Sequence, residues 1–166
     1  MSSAPLTALV TGATGGVGLD TARHLVADEH VVILHGRTLA ESERTVNQLV
    51  AEGADPDRLF STAADFTSLD EVVVMGRQVG DAHPALDVLV NTVTIAGSDE
   101  RVITENGNEL TFQVNYLAPY LLIRSLAEPL RKPDNARVIT LSSTLHRGGR
   151  LDWSDLNRSA AAATPN

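Results

Sequence analysis

The clearest chemical signature in this sequence is a glycine-rich segment, Thr-Gly-Ala-Thr-Gly-Gly-Val-Gly, at positions 11–18. An apolar run precedes it and a segment with the spacing of an amphipathic helix follows it, so the glycines lie between a strand and a helix. Glycine adopts positive φ angles readily and lets a backbone approach a pyrophosphate closely, while N–H groups at a helix N-terminus face the phosphate charge. The pattern favours a nucleotide-binding turn over an ordinary connection.

The end of the second predicted strand (31–35) and the residues after it, His35-Gly36-Arg37-Thr38, bear on which dinucleotide would bind. A site for NAD places an acid about 20 residues after the glycines, where it binds the ribose 2′-hydroxyl, whereas a 2′-phosphate requires a cation. Gly36 stands where that acid would be expected, and the Arg37 guanidinium can form two hydrogen bonds to a phosphate. We therefore expect a preference for NADP(H) over NAD(H). The alternative is that Arg37 only lies at a solvated helix start.

Other side chains that could be reactive have simpler interpretations. His146 lies near Ser143, but no Gly-x-Ser-x-Gly elbow accompanies them, which favours a loop histidine over a Ser-His pair. The five histidines lack the spacing of metal ligands, and without cysteine there is no zinc knuckle, disulfide or thiol nucleophile. We expect no metal site, and we expect Trp153 to pack on the edge of the domain rather than to bind a substrate.

Length and charge restrict the class of protein. The 166 residues suffice for one packed domain and are too few for two of ordinary size. The net charge is −8, and residues 1–100 hold five Arg against fifteen Asp and Glu, which argues against a nucleic-acid or anionic-membrane partner. The first residues lack a cationic leader region, and no apolar run approaches the roughly 18 residues that span a bilayer. These features predict a soluble, cytoplasmic protein.

Strand and helix patterns alternate along the chain. Apolar runs bounded by turn signals predict strands at 6–11, 31–35, 59–63, 86–91 and 136–142. Helical spacing predicts helices at 16–28, 38–52, 67–80 and 108–131. This order predicts an α/β protein with a Rossmann-type, doubly wound parallel sheet. Residues 1–158 would form this domain, and residues 159–166 have no burying pattern, so we expect a mobile C-terminal end.

Several segments, in the right order, resemble the short-chain dehydrogenase/reductase family, and in particular its retinol-dehydrogenase-like members. The resemblance extends from Leu6 to Asn157. It is carried by the glycine spacing, Asp65-Phe66, Leu86 to Asn91, Val114-Asn115, Arg137 to Ser143 and His146 to Gly149. It implies that Ser143 polarises a carbonyl, that Asn115 places a relay water, and that Asp65 contacts adenine. The residues expected to bind the cofactor are Thr11, Gly12, Thr14, Gly16, Val17, Gly18, Arg37, Asp65, Phe66 and Asn91.

The activity that the resemblance implies is hydride transfer between a nicotinamide and a small-molecule carbonyl or secondary alcohol. The family's proton donor, a Tyr-x-x-x-Lys pair after the serine loop, is not found in the 166 residues. Tyr116 and Tyr120 precede Ser143, and the single lysine, Lys132, precedes the fifth strand. We therefore interpret the chain as the N-terminal part of the family fold, truncated after the fifth strand and inactive or impaired by itself. The alternatives are a catalytically silent nucleotide-binding module and a non-functional fragment of a truncated gene.

A second departure from the family pattern follows Asn91, where the family usually reads Asn-Ala-Gly. Either Thr92-Val93-Thr94 replaces that motif in place, or Ala96-Gly97 is its remnant behind an insertion. Both arrangements leave a bulkier loop beside the expected nicotinamide.

A sheet that ends at the fifth predicted strand would leave residues 136–142 as an open edge. It would also expose part of the apolar face of helix 108–131, which is formed by Leu110, Val114, Leu117, Leu121 and Leu122. Because open strand edges and apolar patches promote association, we expect a homo-oligomer.

Overall fold

The computed structural model describes residues 4–97 and 100–159. Strands and helices alternate in the predicted order, and the ends of each strand differ from the prediction by at most two residues. The expected mobile end at 159–166 lies outside the described residues, apart from Ser159.

One parallel sheet forms the centre of the molecule. Its strands are β1 (Thr7–Val10), β2 (Val31–Gly36), β3 (Leu59–Ala63), β4 (Val88–Asn91) and β5 (Arg137–Thr140). Their order in space is β3-β2-β1-β4-β5, so the winding direction reverses between β1 and β4, where Leu9 lies opposite Leu89. This confirms the doubly wound, Rossmann-type fold. Ligands of open α/β sheets bind at the carboxyl ends of the strands at such a reversal.

Helices cover both faces of the sheet. They are α1 (Gly16–Ala27), α2 (Leu39–Ala51), α3 (Leu69–Ala82), α4 (Leu110–Phe112), α5 (Ala118–Ser125) and α6 (Ala127–Arg131). Val10 and Val32 belong to one core cluster with residues of α1 and α2, whereas Leu9 and Ile33 belong to a second cluster with residues of α3 and α5. Successive strand side chains point to opposite faces, which is why these strands read as continuous apolar runs.

The helix predicted at 108–131 is interrupted. After α4 the chain makes a π turn at Gln113–Leu117, and Leu126 separates α5 from α6. Pro119 and Pro129 each lack a backbone donor and favour the first turn of a helix, so an uninterrupted hydrogen-bond ladder cannot form here. π turns inside helices often occur at functional sites, and Asn115 lies in the middle of this one.

Within the described residues β5 is an edge of the sheet, and all four of its side chains are exposed. The open edge is therefore present as predicted. The expected exposure of that helix face is wrong, because Val114 and Leu122 are buried in the core cluster that includes residues of α3, and Leu110, Leu117 and Leu121 are partly buried. Gly76 on α3 allows this close packing, since a Cβ there would lie 2.6 Å from Ser125. No helix in the described part of the chain is long and apolar enough to cross a bilayer.

Candidate functional site

The glycine turn is closed tightly against the start of α1. Gly12 and Gly16 have φ angles of +64° and +52°, a region that other residues rarely adopt. Gly18 lies so close to the turn that a Cβ atom there would be 2.2 Å from the carbonyl oxygen of Gly12. Glycine is thus required at position 18 for space and at positions 12 and 16 for backbone conformation.

Two threonines join the glycine turn to β4. The Thr11 amide donates to the carbonyl of Val90 (2.9 Å), and Thr11 Oγ1 accepts from the Thr92 amide (3.1 Å). Thr92 Oγ1 in turn donates to the Thr11 carbonyl at 2.6 Å. Thr92-Val93-Thr94 directly follows β4 and is joined to the glycine turn through Thr92. Ala96-Gly97 lies farther along the loop and is exposed.

A buried histidine, His35, connects the glycine turn to the end of β3. Its Nδ1 accepts from the Gly12 amide (3.1 Å), and its Nε2 lies 3.0 Å from the carbonyl oxygen of Ala64. Burial lowers the pKa of His35 to about 4, so the ring is neutral at physiological pH. Sequence reasoning assigned this residue no role. The available signal was a single polar residue near the end of an otherwise apolar strand.

The free energy of unfolding is expected to fall as the pH falls from about 6.5 to about 4. In this range the unfolded chain takes up a proton on His35 while the folded chain does not, so stability is complete above pH 6.5 and declines below it. The loss reaches about 3 kcal/mol at 1.36 kcal/mol per pH unit. Urea unfolding of the chain and of His35→Asn between pH 7 and pH 4 measures it. If the free energy of unfolding falls with pH equally in the two proteins, the loss does not come from His35. The partly buried His83 is present in both proteins, so its contribution cancels in this comparison.

Arg37 and Glu41 lie together at one end of the cleft that the glycine turn borders. Arg37 is exposed, whereas Gly36 beside it is buried. A Cβ atom at position 36 would lie within 3.1 Å of Thr14 and Glu41, so there is no space for a side chain. The Glu41 carboxylate accepts from the amides of Arg37 (3.1 Å) and Thr38 (3.3 Å), which completes the capping box of α2. A carboxylate that sequence reasoning did not consider thus borders the cleft beside Arg37.

Asp65 and Phe66 border the same cleft after β3. Asp65 is partly buried, and its Oδ1 accepts from the amide of Thr67 (2.9 Å). The Phe66 side chain is buried in the core, with its ring 4.9 Å from the His35 ring between centroids. Asp65 therefore presents a polar group at the cleft, while Phe66 supports the cleft from beneath.

The cleft itself has a volume of about 750 Å³ and extends across the carboxyl ends of the strands, from Arg37 past the glycine turn to Leu141. Its size and position fit a ligand of dinucleotide class, at the reversal point between β1 and β4. The described residues contain no group of three or more His, Asp or Glu side chains that could hold a metal ion. The predicted cofactor residues that border the cleft are Gly12, Thr14, Gly16, Val17, Gly18, Arg37, Asp65 and Phe66.

A family model described as short chain dehydrogenase matches residues 6–155. The chain belongs to the short-chain dehydrogenase family. Retinol dehydrogenase 13 of Mus musculus is 34% identical to it over 151 residues, which are 91% of this chain and 45% of that protein. The chain spans about half the length of the curated relatives it matches.

Solved structures share the fold of this chain. The RhlG/NADP active-site complex of Pseudomonas aeruginosa aligns with a TM-score of 0.74 and 26% identity, and covers 98% of this chain and 64% of that chain. A metagenomic short-chain oxidoreductase in complex with NADP aligns with a TM-score of 0.72 and 28% identity, over 86% of this chain and 64% of that chain.

Asn115 holds the loop after β4. Its Oδ1 accepts from the Ile95 amide (2.8 Å) and its Nδ2 donates to the Ile95 carbonyl (2.9 Å). The π turn places this side chain toward the loop, beside the residues that border the cleft.

The wall of the cleft does not include four of the predicted site residues, Thr11, Asn91, Asn115 and Ser143. Asn91 is buried at the end of β4, where Nδ2 is 3.5 Å from Thr140 Oγ1 and Oδ1 has no hydrogen-bond partner among the described residues. Ser143 is exposed after β5, and its main-chain carbonyl lies 2.5 Å from Nδ1 of His146. The histidine thus contacts the backbone of Ser143, as expected for a loop histidine. Trp153 is 80% exposed, so the expectation that it packs on the domain edge is wrong for the described residues.

Proposed function

We propose that this short-chain dehydrogenase binds NADP(H) in the cleft, in preference to NAD(H). The observation that carries the proposal is the closed glycine turn at the strand reversal, with the exposed Arg37 at the end of the same cleft. The RhlG and metagenomic neighbours have NADP in their complexes, which supports the same cofactor for this chain.

The residues present fit a dinucleotide with a 2′-phosphate. The first amides of α1, after Gly15, have no partner within the helix and would hold the pyrophosphate. Arg37 would pair with the 2′-phosphate and Asp65 would contact the adenine. The carboxylate of Glu41, beside Arg37, would repel the negative charge of the 2′-phosphate. A preference for NADP(H) therefore requires the attraction by Arg37 to exceed the repulsion by Glu41. Thr11 and Asn91 are buried and would support the site without touching the nucleotide.

We further propose that the whole protein transfers a hydride between the nicotinamide, which supplies or accepts it, and a carbonyl or secondary alcohol. Ser143 would polarise the carbonyl oxygen. Asn115 would hold a relay water, because its two hydrogen bonds to Ile95 fix its orientation and leave one amide hydrogen and one lone pair available.

The substrate that we propose is apolar. Beyond Thr92, the cleft is bordered by Val93, Ile95, Leu110 and Leu141, which offer apolar surface to a ligand. The name of the mouse relative, a retinol dehydrogenase, agrees with a substrate of this class.

A polypeptide of residues 1–166 is expected to bind the nucleotide and to show no carbonyl reduction at the rates of longer family members. General acid–base catalysis contributes about 10²- to 10⁴-fold, and these residues contain no Tyr-x-x-x-Lys pair to supply it. The measurement is NADPH oxidation with a panel of ketones, aldehydes and quinones. Binding without turnover is also what a silent nucleotide-binding module would show. Robust turnover that Ser143→Ala abolishes would contradict the expectation.

A further inference from the structure

His35 is attached to the glycine turn by two hydrogen bonds and to the end of β3 by a third. Gly12 donates its amide hydrogen to Nδ1 (3.1 Å), and Ala13 donates to the main-chain carbonyl of His35 (2.9 Å). On the other edge of the ring, Nε2 lies 3.0 Å from the carbonyl oxygen of Ala64, directly before Asp65. One residue therefore bridges the two segments that border the cleft.

This bridge requires one form of the imidazole. Nδ1 has to accept from Gly12 while Nε2 donates to Ala64, and only the neutral ring with its hydrogen on Nε2 meets both conditions. The ring is 2% exposed and packs against Phe66, so solvent has no access to replace either hydrogen bond. The geometry depends on an uncharged His35.

The charged groups that face the ring come from two elements. Burial lowers the pKa of His35 by more than the hydrogen bond to the Ala64 carbonyl and the charges of Asp65, after β3, and Glu41, on α2, raise it. The glycine turn contributes no titratable side chain, and Arg37, two residues along the chain, is exposed. Burial therefore keeps the ring in the form that the bridge needs.

We propose that His35 is a positioning residue of the nucleotide site, which sets the spacing between the glycine turn and the Asp65 segment. This inference rests on the proposed binding of NADP(H). Because His35 occupies the amides of Gly12 and Ala13, it directs phosphate binding to the first amides of α1. A ligand that spans pyrophosphate and adenine depends on this spacing, whereas a ligand that reaches only the adenine end does not.

Three variants separate the two ends of the bridge. His35→Phe keeps a ring and removes both side-chain hydrogen bonds, His35→Asn keeps an acceptor near the Nδ1 position, and His35→Gln keeps a donor near the Nε2 position. His24→Asn, an exposed histidine on α1 away from the cleft, is the matched control. Each protein is titrated by calorimetry at pH 7.5 with NADP⁺ and with adenosine 2′-monophosphate, at a temperature where circular dichroism shows it folded.

We expect His35→Phe to weaken NADP⁺ binding about tenfold, and His35→Asn to recover most of that affinity because Gly12 keeps its acceptor. The affinity of the His35 variants for adenosine 2′-monophosphate should change by no more than about twofold. The His24→Asn protein should bind both ligands within about twofold of the unaltered chain. Equal losses of affinity for the two ligands, or unchanged NADP⁺ affinity in all His35 variants, would overturn this inference without affecting the proposed function. If the unaltered chain binds no NADP⁺, the proposed function fails and this inference fails with it.

Discussion

Replacing Gly18 with alanine is expected to lower the melting temperature by roughly 5–10 °C and to weaken nucleotide binding at least about tenfold. The new Cβ would lie 2.2 Å from the Gly12 carbonyl oxygen and 2.7 Å from Thr92 Oγ1, so the turn has to move away from α1. Overpacking of this kind costs about 1–3 kcal/mol or more, which exceeds the gain of about 1 kcal/mol from alanine in a helix. The first amides of α1, which would hold the pyrophosphate in the proposed site, would then be displaced from the turn.

Gly15→Ala is the matched control for this substitution. Gly15 belongs to the same turn, has an extended backbone with φ of −176°, and would place its Cβ in open space. The melting temperature of the Gly15→Ala protein, measured by circular dichroism, should stay within about 2 °C of that of the unaltered chain. If the Gly18→Ala protein has the same melting temperature and nucleotide affinity as the Gly15→Ala protein, the close approach of α1 to the turn is not needed for stability or for nucleotide binding.

Arg37→Asp is expected to reverse the order of cofactor affinities. Loss of the guanidinium–phosphate pair and the added repulsion should cost NADPH about 2–4 kcal/mol, which corresponds to about 30- to 1,000-fold in affinity. NADH lacks the 2′-phosphate, and the new carboxylate can accept from its ribose 2′-hydroxyl, so NADH binding should be retained or improved. Isothermal titration calorimetry with both cofactors gives the ratio directly.

The control for Arg37→Asp is Arg44→Asp, which makes the same change of charge on the exposed side of α2. The Arg44 side chain bonds to the carbonyl of Ala40 and does not border the cleft. Its effect on the NADPH to NADH ratio should be within about twofold, because screening weakens interactions between exposed, separated charges. An equal shift in both variants would mean that the preference follows overall charge, and would remove Arg37 from the site.

Much of the fold could be predicted from local patterns. The apolar runs around Val32 and Leu89 identify strands covered on both faces, and the order of elements then restricts the topology to a doubly wound sheet. The interrupted helix was harder to predict, because Pro119 and Pro129 are tolerated in the first turn of a helix and do not by themselves show where a π turn forms. The burial of Val114 and Leu122 depends on how closely Gly76 lets α5 approach α3, which is a tertiary property.

The candidate site was predictable where backbone conformation decides the residue type. Gly12, Gly16 and Gly18 are such positions, and their spacing alone indicated the turn. The role of His35 was not predictable, because it acts on a segment brought near it by folding: the Gly12 amide is 23 residues from His35 along the chain. The capping box of Thr38 and Glu41, in contrast, is a local pattern, and only its place beside the cleft depends on the fold.

Binding of NADP(H) in the cleft is tested most directly by a fluorescence titration of the 166-residue chain with NADPH and NADH at pH 7.5 and constant ionic strength. We expect saturable binding of NADPH, and an NADPH affinity at least about tenfold higher than that of NADH, since a charge-assisted pair at Arg37 is worth about 1.5–3 kcal/mol. Equal affinities, tighter binding of NADH, or no saturation with either nucleotide would contradict it.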